Sequence, residues 1–176
     1  MPSCPVDPFH MATPKIELLL DLLDRAFTGV EHSLLNNLAT VEADSWARVP
    51  DGGKRSIQEI TLHVGLFKYM YGNHGFRDGD LDYSDDPATP PPERLATKDD
   101  AVEWLREAHS YLTGCIRELD DDLELETPRK AHWGGLVPTF AIIVTMVEHD
   151  LYHAGEINRT RALLQDDDDW FVPDPP

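Results

Sequence analysis

The 176-residue chain is short of basic residues, of cysteine and of long apolar runs. Only 15 Lys plus Arg face 33 Asp plus Glu, a formal charge of −18. Such a chain repels a phosphate backbone, which argues against nucleic-acid binding through a basic face. Its two cysteines, Cys4 and Cys115, cannot build a disulfide framework, and no CxxC pair is present, so a reducing, cytoplasmic setting is expected. The N-terminus lacks the cationic start and apolar run of an export signal. The greasiest stretch, 16–23, is cut by Glu17 and Asp21 and falls far short of the ~20 apolar residues of a membrane span. Neither an internal repeat nor turn-bounded strand alternation can be found.

What is present is a chain 41% apolar and 27% charged, long enough for one domain with a real core and no covalent staples. The expected layout is a mobile leader over 1–12, a helical domain over 13–165 and an acidic tail over 166–176. Fourteen prolines leave four proline-free windows, beginning at 15, 51, 93 and 139. Proline breaks helix interiors, so each window reads as one helix with its connection. In the first, Ile16, Leu19, Leu20, Leu23, Ala26, Phe27 and Val30 run on into Leu34, Leu35 and Leu38 at helical spacing, through Gly29. The second opens with the capping box Ser56-Ile57-Gln58-Glu59 and carries Ile57, Ile60, Val64, Phe67 and Tyr71 on one face. A long loop over 78–96 follows. The third helix starts at Thr97, with acids in its first turn and a stripe of Val102, Leu105, Ala108, Leu112 and Ile116. The fourth begins near Pro138 and reaches about Leu164. It has two faces: Phe140, Val144, Val147, Leu151, Ala154 and Ile157, and Ile142, Met146, His149, His153 and Glu156. The fold predicted is all-α, a four-helix bundle with a long crossover between helices two and three.

His149 and His153 stand i, i+4, so both imidazoles reach a common point, as a divalent metal requires. The same spacing arises often by chance in a chain with 8 histidines. Two features add to it. His63 interrupts the apolar stretch Leu62-His63-Val64-Gly65, where a core imidazole needs a partner. The helix-four pair also shares its face with Ile142 and Met146, unlike a solvated face. Three imidazoles would leave coordination positions open for water or substrate. The run His149-Asp150-Leu151-Tyr152-His153 also reads as HDxxH, close to the HExxH of zinc proteases. Asp is one methylene short, however, and only 23 residues follow His153.

The runs Ser33-Leu34-Leu35-Asn36-Asn37-Leu38, Pro50-Asp51-Gly52-Gly53-Lys54-Arg55-Ser56-Ile57 and Leu62-His63-Val64-Gly65 resemble the DinB/YfiT-like superfamily, as does Glu148-His149-Asp150-Leu151-Tyr152-His153-Ala154-Gly155-Glu156-Ile157. The resemblance covers about 15–165. It implies an up-down-down-up four-helix bundle whose metal is held by one histidine of the second helix and an HxxxH pair of the last, here His63, His149 and His153. It also implies a small-molecule substrate and a homodimer. For chemistry it implies thiol-dependent transfer with a low-molecular-weight thiol, or hydrolysis. Zinc or nickel suits such a donor set. The competing expectation is a non-catalytic metal-binding or interaction module in which the metal is structural.

Around this core, Glu156 reads as an acceptor for a ligand histidine ahead of two alternatives, a fourth ligand and an ordinary partner of Arg159. Asp150, about 100° away from His149 on the helix, reads as a surface or inter-helix salt-bridge residue rather than a base. Tyr69, Tyr71, His74 and Tyr152 read as packing residues with wet polar tips, and Cys115 as a buried small hydrophobe. His32 is a candidate to approach the pocket, and Trp133-Gly134-Gly135 to form a lip over it. His10, His109 and His132 read as tail, surface or loop histidines with no special role. Eight acids against two bases in 78–100, six acids in 118–127 and five in 165–176 carry nearly all of the charge. These segments are expected to be solvated connections around a nearly neutral helical core.

Overall fold

The computed structural model describes residues 13–29 and 32–168. The leader, with Cys4 and His10, and positions 169–176 lie outside the described residues. Five α-helices carry the fold: α1 (Pro14–Thr28), α2 (Leu34–Ala39), α3 (Ile57–Phe76), α4 (Lys98–Arg117) and α5 (Thr139–Gln165). Two strands, β1 (Pro128–Lys130) and β2 (Leu136–Pro138), pair antiparallel with Arg129 opposite Val137. Helix α3 packs along α4, while α5 packs on α1, α2 and α3, and α1 also meets α4. No helix among the described residues is long and apolar enough to cross a membrane.

The single long helix predicted from position 16 onward is two helices. The Gly29 N–H closes α1 on the Arg25 carbonyl, and the Gly29 backbone then turns extended, with ψ at 170°. Ser33 starts α2, its hydroxyl accepting from the Asn36 N–H at 3.2 Å. The leucine periodicity survives the break because α2 also packs on α5. The α3 capping box is in place: the Ser56 N–H donates to Glu59 at 2.8 Å, and these Ser56 hydrogen bonds hold the Glu59 carboxyl below the usual range. Thr97 and Asp100 form a second capping box on α4. The chain does contain strands, contrary to the sequence reading. At three residues each, β1 and β2 are too short for alternation to register.

Helices α3 and α4 approach closely at glycines. A Cβ on Gly65 would stand 2.3 Å from the Trp104 ring, and one on Gly72 would stand 2.7 Å from that of Tyr111. The Leu62-His63-Val64-Gly65 run therefore lets the Trp104 indole close on α3, two residues along from His63. Apolar side chains divide into two clusters. One gathers Phe27, Leu34, Trp46, Ile60, Val64, Trp104, Leu105, Ala108, Ala154 and Ile157. The other gathers Ile16, Leu20, Leu23, Tyr71, Leu112, Ile116, Ile142, Ile143 and Met146. In sequence, Asp24 of α1, His109 of α4 and Asp150 of α5 fall where their helix passes from one cluster to the other, and Lys68 of α3 meets Asp150 there. A polar seam thus crosses the core.

On α5 the buried side is Ile142, Ile143, Met146, Asp150, His153, Ala154 and Ile157. Of the face read as Phe140 to Ile157, Ala154 and Ile157 are buried, whereas Phe140 and Leu151 are 39% and 45% exposed. The acidic connections are not merely solvated. Asp122 receives the Lys15 and Ile16 N–H groups at 3.0 Å, satisfying the free donors of the α1 N-terminus and meeting its positive dipole end.

Candidate metal centre

His63 projects from the second turn of α3 and His149 and His153 from the middle of α5, two helices that pack against each other. One nitrogen from each ring lies within 4.8 Å of the others. The three histidines singled out from sequence are therefore one cluster. The Nε2 atoms of His63 and His149 stand 3.3 Å apart. The His153 ring centroid is 4.8 Å from that of His63 and 4.5 Å from that of His149.

Hydrogen bonding sets the orientation of His153. Its Nδ1–H donates to Glu156 Oε2 at 2.7 Å, since a carboxylate only accepts. That leaves Nε2 with the lone pair. Glu156 is itself held by Arg55, whose Nη2 donates to Oε1 at 2.7 Å. The expected acceptor role of Glu156 is thus realised as a hydrogen bond within one helical turn, and Arg55, from the segment before α3, completes it. Burial keeps the three rings neutral. It lowers the pKa of His63 to about 4 and that of His149 to about 3, helped in each case by the neighbouring His153, and it lowers that of His153 as well. Neutral imidazole is the form that offers lone pairs to a cation.

The donor set fits a divalent ion. Two nitrogens each ~2.05 Å from a tetrahedral ion lie about 3.3 Å apart, the separation of the His63 and His149 Nε2 atoms. The protein does not satisfy these rings by itself. The Nδ1 of His149 is buried with no hydrogen-bond partner, and its Nε2 meets only another imidazole nitrogen at 3.3 Å. The Phe67 ring covers the cluster on one side, 4.5 Å from His63 and 5.5 Å from His149 between centroids.

Other expected residues fall elsewhere. His74 bonds the Leu81 carbonyl at 2.9 Å and braces the start of the crossover. His32, exposed, lies beside a groove lined by Leu22, Arg25, Val147 and Leu151, outside the triad. Tyr152 sets its ring edge-on to His153 at 5.0 Å. Tyr69 and Tyr71 are buried rather than wet-tipped, and burial pushes the Tyr69 phenol up to about 12. Cys115 is buried as expected, and burial raises its thiol pKa.

Sequence reasoning passed over two groups. His132, in the loop between β1 and β2, packs against Phe67 at 5.1 Å and Tyr71 at 4.5 Å, with Trp133 beside it. The loop 131–135 therefore joins the aromatic wall behind Phe67. Its signal was the Gly134-Gly135 turn. His109 is buried, stacked on Phe27 at 3.9 Å and donating to Asp24 at 2.8 Å, instead of lying at the surface. Lys68 donates to Asp150 at 2.6 Å, with both side chains fully buried and the ammonium 5.0 Å above the Phe27 ring. Burial pushes the Lys68 amine down and the Asp150 carboxyl up, and the contact between them opposes both shifts. Asp150 is thus the inter-helix salt-bridge residue, not the surface one. A lone Lys four residues beyond Val64, on an apolar face, was the signal.

Comparison with known proteins agrees with this arrangement. No curated protein matches the chain. A family profile described as the DinB superfamily matches residues 26–157, a span that takes in Arg55, all three histidines and Glu156. The chain belongs to the DinB superfamily.

Proposed function

We propose that this protein is a metalloenzyme in which His63, His149 and His153 hold one divalent ion, zinc or nickel, for chemistry on a small electrophilic substrate. The observation that carries this reading is the trio of neutral rings within 4.8 Å, two of them meeting Nε2 to Nε2 with nothing else to satisfy them. When bound, such an ion supplies Lewis acidity, lowering the pKa of a water or thiol in its open positions. The chain does the rest. Arg55 fixes Glu156, Glu156 fixes the tautomer and plane of His153, and Phe67 shields the rings of His63 and His149. The nucleophile is a low-molecular-weight thiol, for transfer, or water, for hydrolysis. An up-down-down-up four-helix arrangement, a cytoplasmic setting, a homodimer and no nucleic-acid partner complete the reading.

One observation favours a second role. The donors come from α3 and α5, so an ion there would also cross-link two helices, as a structural metal does. Thermal melts with and without chelator separate the two: an apo protein that keeps its fold supports catalysis, and one that unfolds supports the staple. The reaction itself is tested with a panel of low-molecular-weight thiols and an electrophilic acceptor, run beside ester substrates in water alone. Turnover that disappears on chelation and in His149→Ala is expected. No turnover in either arm would leave only the structural role.

A further inference from the structure

Beside the triad lies a chamber of about 460 Å³ between α3, the crossover and α4. Its apolar wall is Leu62, Leu66, Ala88, Leu95 and Trp104, and His63 is part of its lining. An engineered cavity of ~150 Å³ takes a benzene, so this space holds roughly three times as much, within the range of small-molecule sites. Its lining contains no Asp, Glu, Lys or Arg, although the chain as a whole is rich in acids. Its polar members besides His63 are Gln58 and Thr89. The Thr89 hydroxyl is already committed to the Tyr83 carbonyl at 2.7 Å. The Gln58 side-chain amide makes no hydrogen bond to another described residue and so remains available to a ligand carbonyl or hydroxyl. An unpaired charge placed there would lose its hydration without a partner.

The shape comes from the close packing of Trp104 on Gly65. The indole comes this close to α3 only because position 65 has no Cβ, and its Nε1–H donates to the Pro87 carbonyl at 2.9 Å. Trp104 is therefore a fixed floor, tied to both α3 and the crossover. Leu62 and Leu66, one turn apart on α3, stand half-buried above it. His63 lies between them in sequence and belongs both to the chamber and to the triad.

We propose that this chamber takes the uncharged, apolar part of the substrate and presents its reacting end at His63, so that the enzyme selects neutral molecules of one or two rings, or of comparable aliphatic bulk. This specificity rests on the function proposed above, and the test separates the two. The full chain, metal-free, is titrated with 1-naphthalenemethanol and with 1-naphthoate, a neutral and an anionic probe of similar size, while the histidine ring resonances are followed by NMR. The alcohol is expected to bind at least tenfold more tightly than the carboxylate and to shift the His63 ring signals while those of His109 stay in place. Leu66→Trp, which fills the chamber, should weaken binding of the alcohol at least tenfold. Equal binding of the two probes overturns the proposal. So do shifts that spare His63, or a folded Leu66→Trp protein that binds as wild type does. If Leu66→Trp does not fold, the two wild-type measurements decide. Zinc content measured on the wild-type protein as purified, before the metal is removed for the titration, reports on the metal reading alone, since the probe titration needs no metal.

Discussion

Helices α3 and α5 are joined by two polar clusters that behave in opposite ways. His149 and Asp150 are neighbours in sequence, yet His149 turns toward His63 and Asp150 toward Lys68. In the Lys68–Asp150 pair a fully buried cation meets a fully buried anion at 2.6 Å, so the protein supplies both charges itself. In the triad three neutral rings converge, two of them meeting Nε2 to Nε2 at 3.3 Å, and only His153 is anchored on a carboxylate, that of Glu156. The charged pair ties the two helices together, Lys68 meeting one oxygen of Asp150 while the other, Oδ1, is buried with no hydrogen-bond partner. Only the neutral rings offer lone pairs to an ion from outside.

The largest effect should come from breaking the charged pair. Lys68→Ala or Asp150→Ala strands a buried charge and should cost about 3–5 kcal/mol in chemical denaturation. The double substitution Lys68→Met/Asp150→Leu should restore most of that loss. A double variant no more stable than either single would show that the pair is not a closed unit. Acid should act next. His109 titrates at about 4 in the fold, held down by burial first and by Lys68 second, against about 6.5 when unfolded. A base with a depressed pKa takes up its proton in the unfolded state first, so its effect is absent above about pH 6.5 and destabilises progressively down to about pH 4. For this largely buried ring the loss should be on the order of 2 kcal/mol, read from urea midpoints of the metal-free protein against pH. His109→Gln should remove its share of that slope and leave the part that the lowered His63, His149 and His153 contribute.

On the triad side, Glu156→Gln removes the charged acceptor from His153 and should weaken metal binding about 10–100-fold in a competition titration, with little change in fold stability. Arg55→Gln, which loosens Glu156 from outside, should do the same more weakly. The smallest effect should be local. Ser56→Ala unmakes the α3 cap, costs about 1 kcal/mol and leaves metal binding within a few-fold of wild type, because His63 lies almost two turns further along.

The triad was readable in the sequence because His149 and His153 repeat at one helical turn, His63 interrupts an apolar run, and above all because the runs that carry them resemble one family. The first two are local signals. The polar seam was not, because its meaning depends on which helices meet. Lys68 and Asp150 are 82 residues apart, and an isolated Lys on an apolar face reads equally well as a residue reaching solvent. Both α3 and α4 begin at the caps read for them, Ser56 and Thr97, whereas the break after Thr28 is hidden by leucines that keep their spacing across it. The apolar repeat Phe140-Val144-Val147-Leu151 shows the converse failure. Periodicity reveals that a face is apolar but not whether another element covers it. The hairpin carrying His132 is too short to announce itself, so the aromatic wall behind Phe67 became visible only in three dimensions.

The central claim, that α3 and α5 together present a site for one divalent ion, is tested most directly by equilibrium dialysis of the metal-free protein against cobalt(II), with the visible spectrum recorded at each step. The account predicts saturation at one ion per chain, a spectrum of nitrogen-ligated cobalt of low coordination number, and loss of both in folded His63→Ala and His149→Ala/His153→Ala proteins. Cobalt uptake that is unchanged when these histidines are removed, or a wild-type chain that takes up none, would contradict it.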